Sequence, residues 1–363
     1  MIGDGRSFLF RPPTTDHRPP TMQTILQPEE INPAIELANR ILTQLDRILL
    51  GRADLHRLVL TGILSRGHIL LEGLPGVGKT ALVKTLGDLL GLQFKRVQFT
   101  PDLMPSDILG SHILQGDGDG RRSMEFHAGP VFTNLLLADE INRASPKTQS
   151  ALLEAMQERS VTLLGVTRQL PDPFFVLASQ NPIELEGTYP LPEAQLDRFL
   201  FKLNVGGSDV DTLDQIISTR RRGEAPQPEF VVSADELRGL FAVMDRVYLP
   251  KPVSRYVSRL VAATHADSPE ATDEVKTYVS YGASPRAAIA MAEAARAFAL
   301  LAGRPTVGFE DVKAVAAPAL NHRLVLNYKA KFDGVDAHGL IARLLSQLDE
   351  TGIKLPRDVE IEK

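Results

Sequence analysis

The stretch Gly73-Leu74-Pro75-Gly76-Val77-Gly78-Lys79-Thr80 decides how this chain is read. It fits G-x-x-x-x-G-K-[ST]. A short apolar run, His68-Ile69-Leu70-Leu71, precedes it, and a helically periodic stretch from Lys79 to Leu90 follows. Strand, glycine-rich loop and helix in that order make a phosphate cradle. The glycines let the backbone turn tightly and aim its N–H groups inward, and the lysine reaches β- and γ-phosphates. The hydroxyl binds Mg²⁺, and the helix start adds the positive end of its dipole. On this reading Gly73, Pro75, Gly76, Val77, Gly78, Lys79, Thr80 and Ala81 hold a nucleotide, with Thr80 as a metal ligand.

Outward from the loop, further apolar runs stand at Phe94 to Phe99, Leu135 to Ala138, Phe174 to Ala178 and Phe199 to Val205, separated by helical segments. Buried strands alternating with helices read as βαβ units around a parallel sheet. Upstream, apolar residues recur at helical spacing from Ile31 to Leu64, broken at Leu49-Leu50-Gly51-Arg52. After Gly206 helices dominate. Asp209 to Arg222 reads as a helix stopping at Gly223, Ser233 to Glu236 as a capping box, and Ser284-Pro285 as a helix start. Met1 to about Glu30, rich in Pro, Thr and Arg, reads as a disordered leader, and Met22 is a candidate internal start.

Composition narrows the function classes. Of 363 residues, 43% are hydrophobic, enough for a large core, and the formal charge is −5, so no dominant polyanion-binding surface is indicated. Cysteine is absent, which removes disulfides, thiolate metal sites and thiol nucleophiles together. The longest apolar window, Ala287 to Leu301, is interrupted by Glu293 and Arg296, so no membrane span is expected. The patch Phe8-Leu9-Phe10 is too brief for a signal-peptide core, and a cytoplasmic protein is expected. Asp117-Gly118-Asp119-Gly120 is no calcium loop, because its fifth and twelfth positions are Arg121 and Ala128.

A second chemical signal is Leu135-Leu136-Leu137-Ala138-Asp139-Glu140, an apolar strand ending in two carboxylates. Parallel strands deliver their C-terminal residues to the ligand crevice. Asp139 is placed to hold Mg²⁺, and Glu140 to act as general base on the attacking water. Alone, such a pair is more often a helix N-cap; downstream of a phosphate loop the catalytic reading is favoured.

The blocks GLPGVGKT, FTPDLMPSDILG (Phe99 to Gly110), LLLADEINRA (Leu135 to Ala144), ASQNP (Ala178 to Pro182), EGTYPLPEAQLDRF (Glu186 to Phe199) and GASPRA (Gly282 to Ala287) stand in this order. With them the chain resembles the AAA+ ATPases, and among these closely the MoxR family, from about Gln27 to Leu348. The resemblance implies an α/β P-loop core with a parallel sheet, residues 31–207, and a C-terminal all-helical lid, residues 208–363. Within the core it implies a helix-2 insert at 101–130 and a β-hairpin at 158–171 that faces the central channel.

The same resemblance assigns roles. Asn181 is similar to the sensor that orients water, Arg198 to an arginine finger supplied to a neighbouring subunit, and Arg286 to a second sensor contacting nucleotide phosphates. Gly51 lies in the segment lining the adenine pocket, and Gln98 where relatives restrain the catalytic Glu. ATP and Mg²⁺ are implied, as are a six-membered ring of identical subunits and a von Willebrand A-domain partner. The expected function is chaperone-like remodelling of partner complexes driven by ATP hydrolysis. A nucleic-acid motor is the alternative, although the hairpin offers only Arg159 and Arg168 as cations and Arg220-Arg221-Arg222 is the densest basic run. A catalytically dead scaffold is disfavoured by the joint presence of Lys79, Thr80, Asp139, Glu140, Asn181 and Arg198.

Overall fold

The computed structural model describes residues 25–116, 122–183, 187–220 and 225–350. The sequence-derived leader up to residue 24, Met22, the Asp117 to Gly120 turn, Glu186, Arg221, Arg222 and Gly223 lie outside them. The chain opens with helices Pro28–Ile48 (α1) and Ala53–Leu64 (α2). Helix α1 begins three residues inside the span read as leader. Leu26 is buried and the Glu30 carboxylate accepts the Gln27 N–H at 2.9 Å, which together fix the first turn.

Strand Ile69–Glu72 (β1), helix Lys79–Leu89 (α3) and strand Phe94–Gln98 (β2) follow. Next come helix Pro105–Leu109 (α4) and the antiparallel pair Gly110–Gly116 (β3) and Arg122–Ala128 (β4). Strand Leu135–Asp139 (β5) leads through a 3₁₀ turn at Ile141–Arg143 into helix Pro146–Glu158 (α5). A hairpin, Ser160–Leu163 (β6) and Val166–Gln169 (β7), precedes strand Phe175–Gln180 (β8), the short helix Glu193–Leu196 (α6) and strand Phe201–Asn204 (β9).

The remainder is nearly all helical. It comprises Val210–Thr219 (α7), Ala234–Arg246 (α8), Lys251–Ala262 (α9) and Asp273–Tyr278 (α10). Strand Val279–Tyr281 (β10) and helices Pro285–Leu301 (α11) and Phe309–Leu320 (α12) follow. Strand Val325–Leu326 (β11) and helices Tyr328–Phe332 (α13) and Ala337–Gln347 (α14) end it. Helix α7 stops at Thr219, three residues short of the sequence expectation, where Arg220 turns extended.

Strands β2, β5, β8, β1 and β9 lie in that order in one parallel sheet. Alternation along the strands divides the burial. Ile69, Leu71, Leu135, Leu137, Phe175 and Leu177 join one core, while Leu70, Leu136, Ala138, Val176 and Ala178 join the other. Successive side chains point to opposite faces, so a strand coated on both sides must be apolar throughout. Each fully buried leucine contributes ~2 kcal/mol. The first core continues into α1, α2, α8 and the C-terminal helices, with α11 packed on α2 and α12 on β9. Helix α11 permits that close approach because six of its buried residues, Ala287, Ala290, Ala294, Ala295, Ala297 and Ala299, are alanines. This packing brings the start of α11 and the end of α12 against the segment between α6 and β9.

Candidate functional site

The loop between β1 and α3 stands at the C-terminal edge of the sheet. Gly76 and Gly78 take φ of +79° and +88°, conformations that glycine adopts without steric cost. Gly73 answers a different demand, since a Cβ there would collide with the Val205 carbonyl at the end of β9. No side chain caps α3, so its first-turn N–H groups remain available to an anion. Lys79 is buried, and its ammonium donates to the carbonyls of Gly73 and, at 3.2 Å, of Leu74. Burial pulls its pKa down, and Asp139 and Glu140 partly offset that.

Beside the loop lies a cavity of about 490 Å³. The loop residues Leu74 to Gly78 and Ala81 line it, together with Leu49, Leu50, Leu55, Leu213 and Ile216. An apolar slot against a phosphate cradle fits a purine base. Gly51, expected to let a base approach, instead has φ +77° and is crowded by Thr212 of α7, where a Cβ would clash. Its neighbours Leu50 and Arg52 line the slot. Arg52 ties the loop to the segment just after β9, donating to the carbonyls of Val77 and, at 2.9 Å, of Gly206.

The acidic pair sits two strands away from β1. Asp139 is buried; Oδ1 accepts the Ser179 hydroxyl at 2.5 Å, and Oδ2 accepts Arg96 Nε at 3.0 Å and Nη2 at 2.7 Å. Glu140 adopts φ +57°, rare for a residue with a side chain, and its N–H donates to Ser179 Oγ at 2.9 Å. Its Oε2 accepts Gln98 Nε2 at 2.6 Å and Arg143 Nη1 at 3.0 Å. The expected restraint of Glu140 by Gln98 is therefore present as a hydrogen bond. Asn181, expected as the water-orienting sensor, follows β8 and is buried, with Oδ1 accepting the Ile183 N–H at 3.2 Å.

Arg198 and Arg286 lie elsewhere. With Arg66, Arg159 and Arg323 they line a cavity of about 340 Å³ whose acidic members are Asp197 and Glu293. This cavity includes Gly67 and His68, just before β1, whereas the phosphate loop follows β1; the two cavities share no lining residue. A four-residue strand rising ~3.3 Å per residue separates them. Arg286, expected to contact nucleotide phosphates, has its Nη1 3.9 Å from Asp197 Oδ2, and packing of α11 on α2 places it beside this cavity. The Ser284 hydroxyl, expected to cap α11, instead donates to the Asp197 carboxylate at 2.9 Å.

Sequence reasoning missed Ser179, Arg96, Arg143 and Arg323. Arg96 had a legible signal: it and Gln98 share one face of β2, and Gln98 pairs in register with Asp139. Ser179 and Arg323 had none, because their roles arise only when β8 meets β5 and when α12 meets the segment after α6.

The comparisons agree with this geometry. The family model described as "ATPase family associated with various cellular activities (AAA)" matches residues 68–201, and the "AAA lid domain" model matches residues 271–344. The chain is 45% identical over 311 residues to Chaperone MoxR1 of Mycobacterium tuberculosis, covering 86% of this chain and 81% of the relative. It is 34% identical to Protein MoxR of Paracoccus denitrificans, covering 78% and 87%. A crystal structure from Cytophaga hutchinsonii superposes with TM-score 0.78 at 38% identity, covering 88% and 97%. The α/β core with its parallel sheet, the helical lid and these likenesses together place the chain in the MoxR family of AAA+ ATPases.

Proposed function

We propose that the chain hydrolyses ATP in a ring of identical subunits and uses the cycle to remodel or mature partner protein complexes. The observation that carries this reading is the separation of the site into two halves. Lys79, Thr80, Asp139, Glu140 and Asn181 stand at one edge of the sheet, while Arg198 and Arg286 line a different cavity beyond the other end of β1. This separation supports a site in which a second subunit presents its arginine cavity to the phosphates held by the first. We take residues 31–207 as the nucleotide-binding unit and 208–363 as the lid.

The chemistry follows from the residues present. The open left-handed glycines, the uncapped α3 and the ammonium of Lys79 fit a triphosphate, and the apolar slot beside Leu50 and Leu213 fits adenine. Thr80 and Asp139 are the oxygen donors that fit Mg²⁺, a cation satisfied by one or two protein oxygens plus phosphates. When bound, that ion supplies positive charge against the β- and γ-phosphoryl oxygens. Glu140 takes the proton of the attacking water once Gln98 and Arg143 release its carboxylate. Asn181 holds the water in line, and Arg198 of a neighbour stabilises charge on the transferred group.

Two features favour a protein partner over nucleic acid. Arg168, one of the two hairpin cations, is stacked on Phe126 of β4 at 3.9 Å, and the other, Arg159, lines the arginine cavity. The hairpin tip instead presents Leu164, 77% exposed and at φ +50°, where Asn or Gly would be less strained. A von Willebrand A-domain protein is the partner class that the family resemblance supports. The test is capture with the Glu140→Gln form in ATP and Mg²⁺, alongside turnover by the unaltered protein. Turnover that rises with ring assembly, and recovery of such a partner without nucleic acid, support the reading. Nuclease-sensitive DNA or RNA as the main bound species would transfer it to a nucleic-acid motor.

A further inference from the structure

Arg323 is the first residue to consider beyond the two half-sites. It lies just past α12, is 7% exposed, and carries five N–H donors. Nε donates to Asp197 Oδ1 at 2.8 Å; Nη2 donates to the carbonyls of Phe199 at 2.7 Å and Asp197 at 3.2 Å. Nη1 donates to the Leu200 carbonyl at 3.1 Å and to that of Ala319. All five donors are used, and four fall on residues 197–200, on both sides of Arg198. The adjacent His322 adds its Nε2 against the Phe199 carbonyl at 3.1 Å, and Ser284 of the lid holds Asp197 from the other side.

The core fixes the far end of this segment, burying Phe199 and Leu200 and accepting the Leu200 N–H at the His68 carbonyl at 2.8 Å, while Asp197 and Arg198 are only partly buried. Residues 197–200 connect α6 to β9 and belong to neither. Arg198 Nε is buried and without a partner among the described residues, so the guanidinium does not anchor its own backbone. Its surroundings are cationic: Arg66, Arg159 and Arg286 share the cavity, opposed by Asp197 and Glu293. Like charges would push Arg198 aside unless its main chain were held on both flanks.

We propose that Arg323 is the positioning residue for Arg198, so that the lid, together with the core that holds Phe199 and Leu200, sets where the finger stands. This rests on the reading above that Arg198 completes the site of a neighbouring subunit. A displacement of about 1 Å at a catalytic group costs ~10²-fold in rate, which makes a five-point clamp functionally consequential. The arrangement also gives lid movement a direct route to the adjacent subunit: when α12 moves, the backbone carrying Arg198 moves with it.

The test uses mixed subunits of the full chain. Arg323→Lys keeps the charge but replaces a five-donor fork with three donors on one point. Because altering a buried clamp threatens folding, Asp197→Asn, which keeps the side-chain shape, is the second variant, and melting curves accompany both. Each variant alone is expected to lose at least about tenfold in kcat while ATP affinity stays within about twofold. Hydrogen exchange of amides 197–200 is expected to quicken, a readout independent of turnover.

Mixing either variant with Lys79→Ala subunits, which lack a working phosphate loop but carry an intact finger, is expected to restore turnover. Arg198→Ala mixed with the same subunits is the control. If the control recovers and the Arg323→Lys and Asp197→Asn mixtures do not, Arg323 serves only its own subunit and the proposal is overturned. Unaltered kcat and unaltered exchange in both variants overturn it equally. If the control itself recovers nothing, the two-subunit site is refuted first, and the positioning role falls with it.

Discussion

The phosphate-loop edge and the arginine cavity are built by opposite means. At the first, the phosphate cradle is eight consecutive residues whose glycines set the backbone, Gly76 at φ +79° and Gly78 at φ +88°, and the carboxylates beside it come from β5. At the second, Arg198 stands in a segment without regular structure, gripped by Arg323 and His322 after α12 and by Ser284 before α11. A cradle made of one contiguous loop depends chiefly on local dihedrals, although α7 lines the slot beside it. A site made by clamping a core segment with a lid depends on where the lid sits. The cradle is set by its own backbone, whereas the position of Arg198 depends on contacts with the lid.

The sharpest way to break this comparison is to remove the two halves separately. Arg198→Ala is expected to lower kcat by ~10³-fold, the scale of an arginine finger, with nucleotide affinity per subunit unchanged. Turnover and equilibrium binding of a fluorescent ATP analogue check it, and a matching loss of affinity would place Arg198 at its own chain's phosphates. Glu140→Gln is expected to lower kcat by ~10²-fold while ATP remains bound, because the proton acceptor is lost but Lys79 and the loop amides are untouched. Equal turnover in the variant and the unaltered protein would remove Glu140 from the chemistry.

The same contrast explains what was legible in the sequence. The strands at Leu135 and Phe175 could be read because two-sided burial forces unbroken apolar runs, and the phosphate loop because its geometry demands glycine at fixed spacing. The arginine half could be named only by resemblance. Nothing local in Asn321-His322-Arg323 announces that five donors will converge on residues 197–200 and Ala319, since that convergence exists only after α12 packs on β9. For the same reason the GASPRA block gives the identity of Arg286 but not the cavity beside which α11 places it.

Acid offers a weaker lever that acts on the halves unequally. His68, which lines the arginine cavity, is fully buried between the Met156 carbonyl and the Val176 N–H, and burial pushes its pKa down to about 4. His322 is pushed down to about 3 by burial, with Arg323 adding repulsion. Both fold as neutral rings, while the unfolded chain protonates them near 6.5. Their contribution is complete above pH 6.5 and declines as pH falls toward 4, by ~1.4 kcal/mol per pH unit for each ring. Hydrogen exchange at pH 5 against pH 7 is expected to show the 197–200 segment opening before the phosphate loop. Uniform loosening of both halves would contradict the asymmetry.

The smallest effect concerns the β6–β7 hairpin and the β3–β4 pair, which meet at Phe126. The Arg168 guanidinium lies 3.9 Å from the Phe126 ring centroid, and Phe126 contacts both His112 and Phe132 edgewise or tilted. This stack joins the β6–β7 hairpin to the β3–β4 pair, so the two move as one surface. A cation–π contact at a partly exposed site is worth ~0.5–1 kcal/mol. Arg168→Gln is therefore expected to shift the denaturation midpoint by no more than that amount and to leave ATP affinity unchanged. Partner-stimulated turnover is expected to fall severalfold more than basal turnover, because stimulation needs both hairpins to respond together. A variant whose basal rate falls as far as its stimulated rate would show instead that Arg168 supports the hydrolytic core, and that the hairpins are no separate working surface.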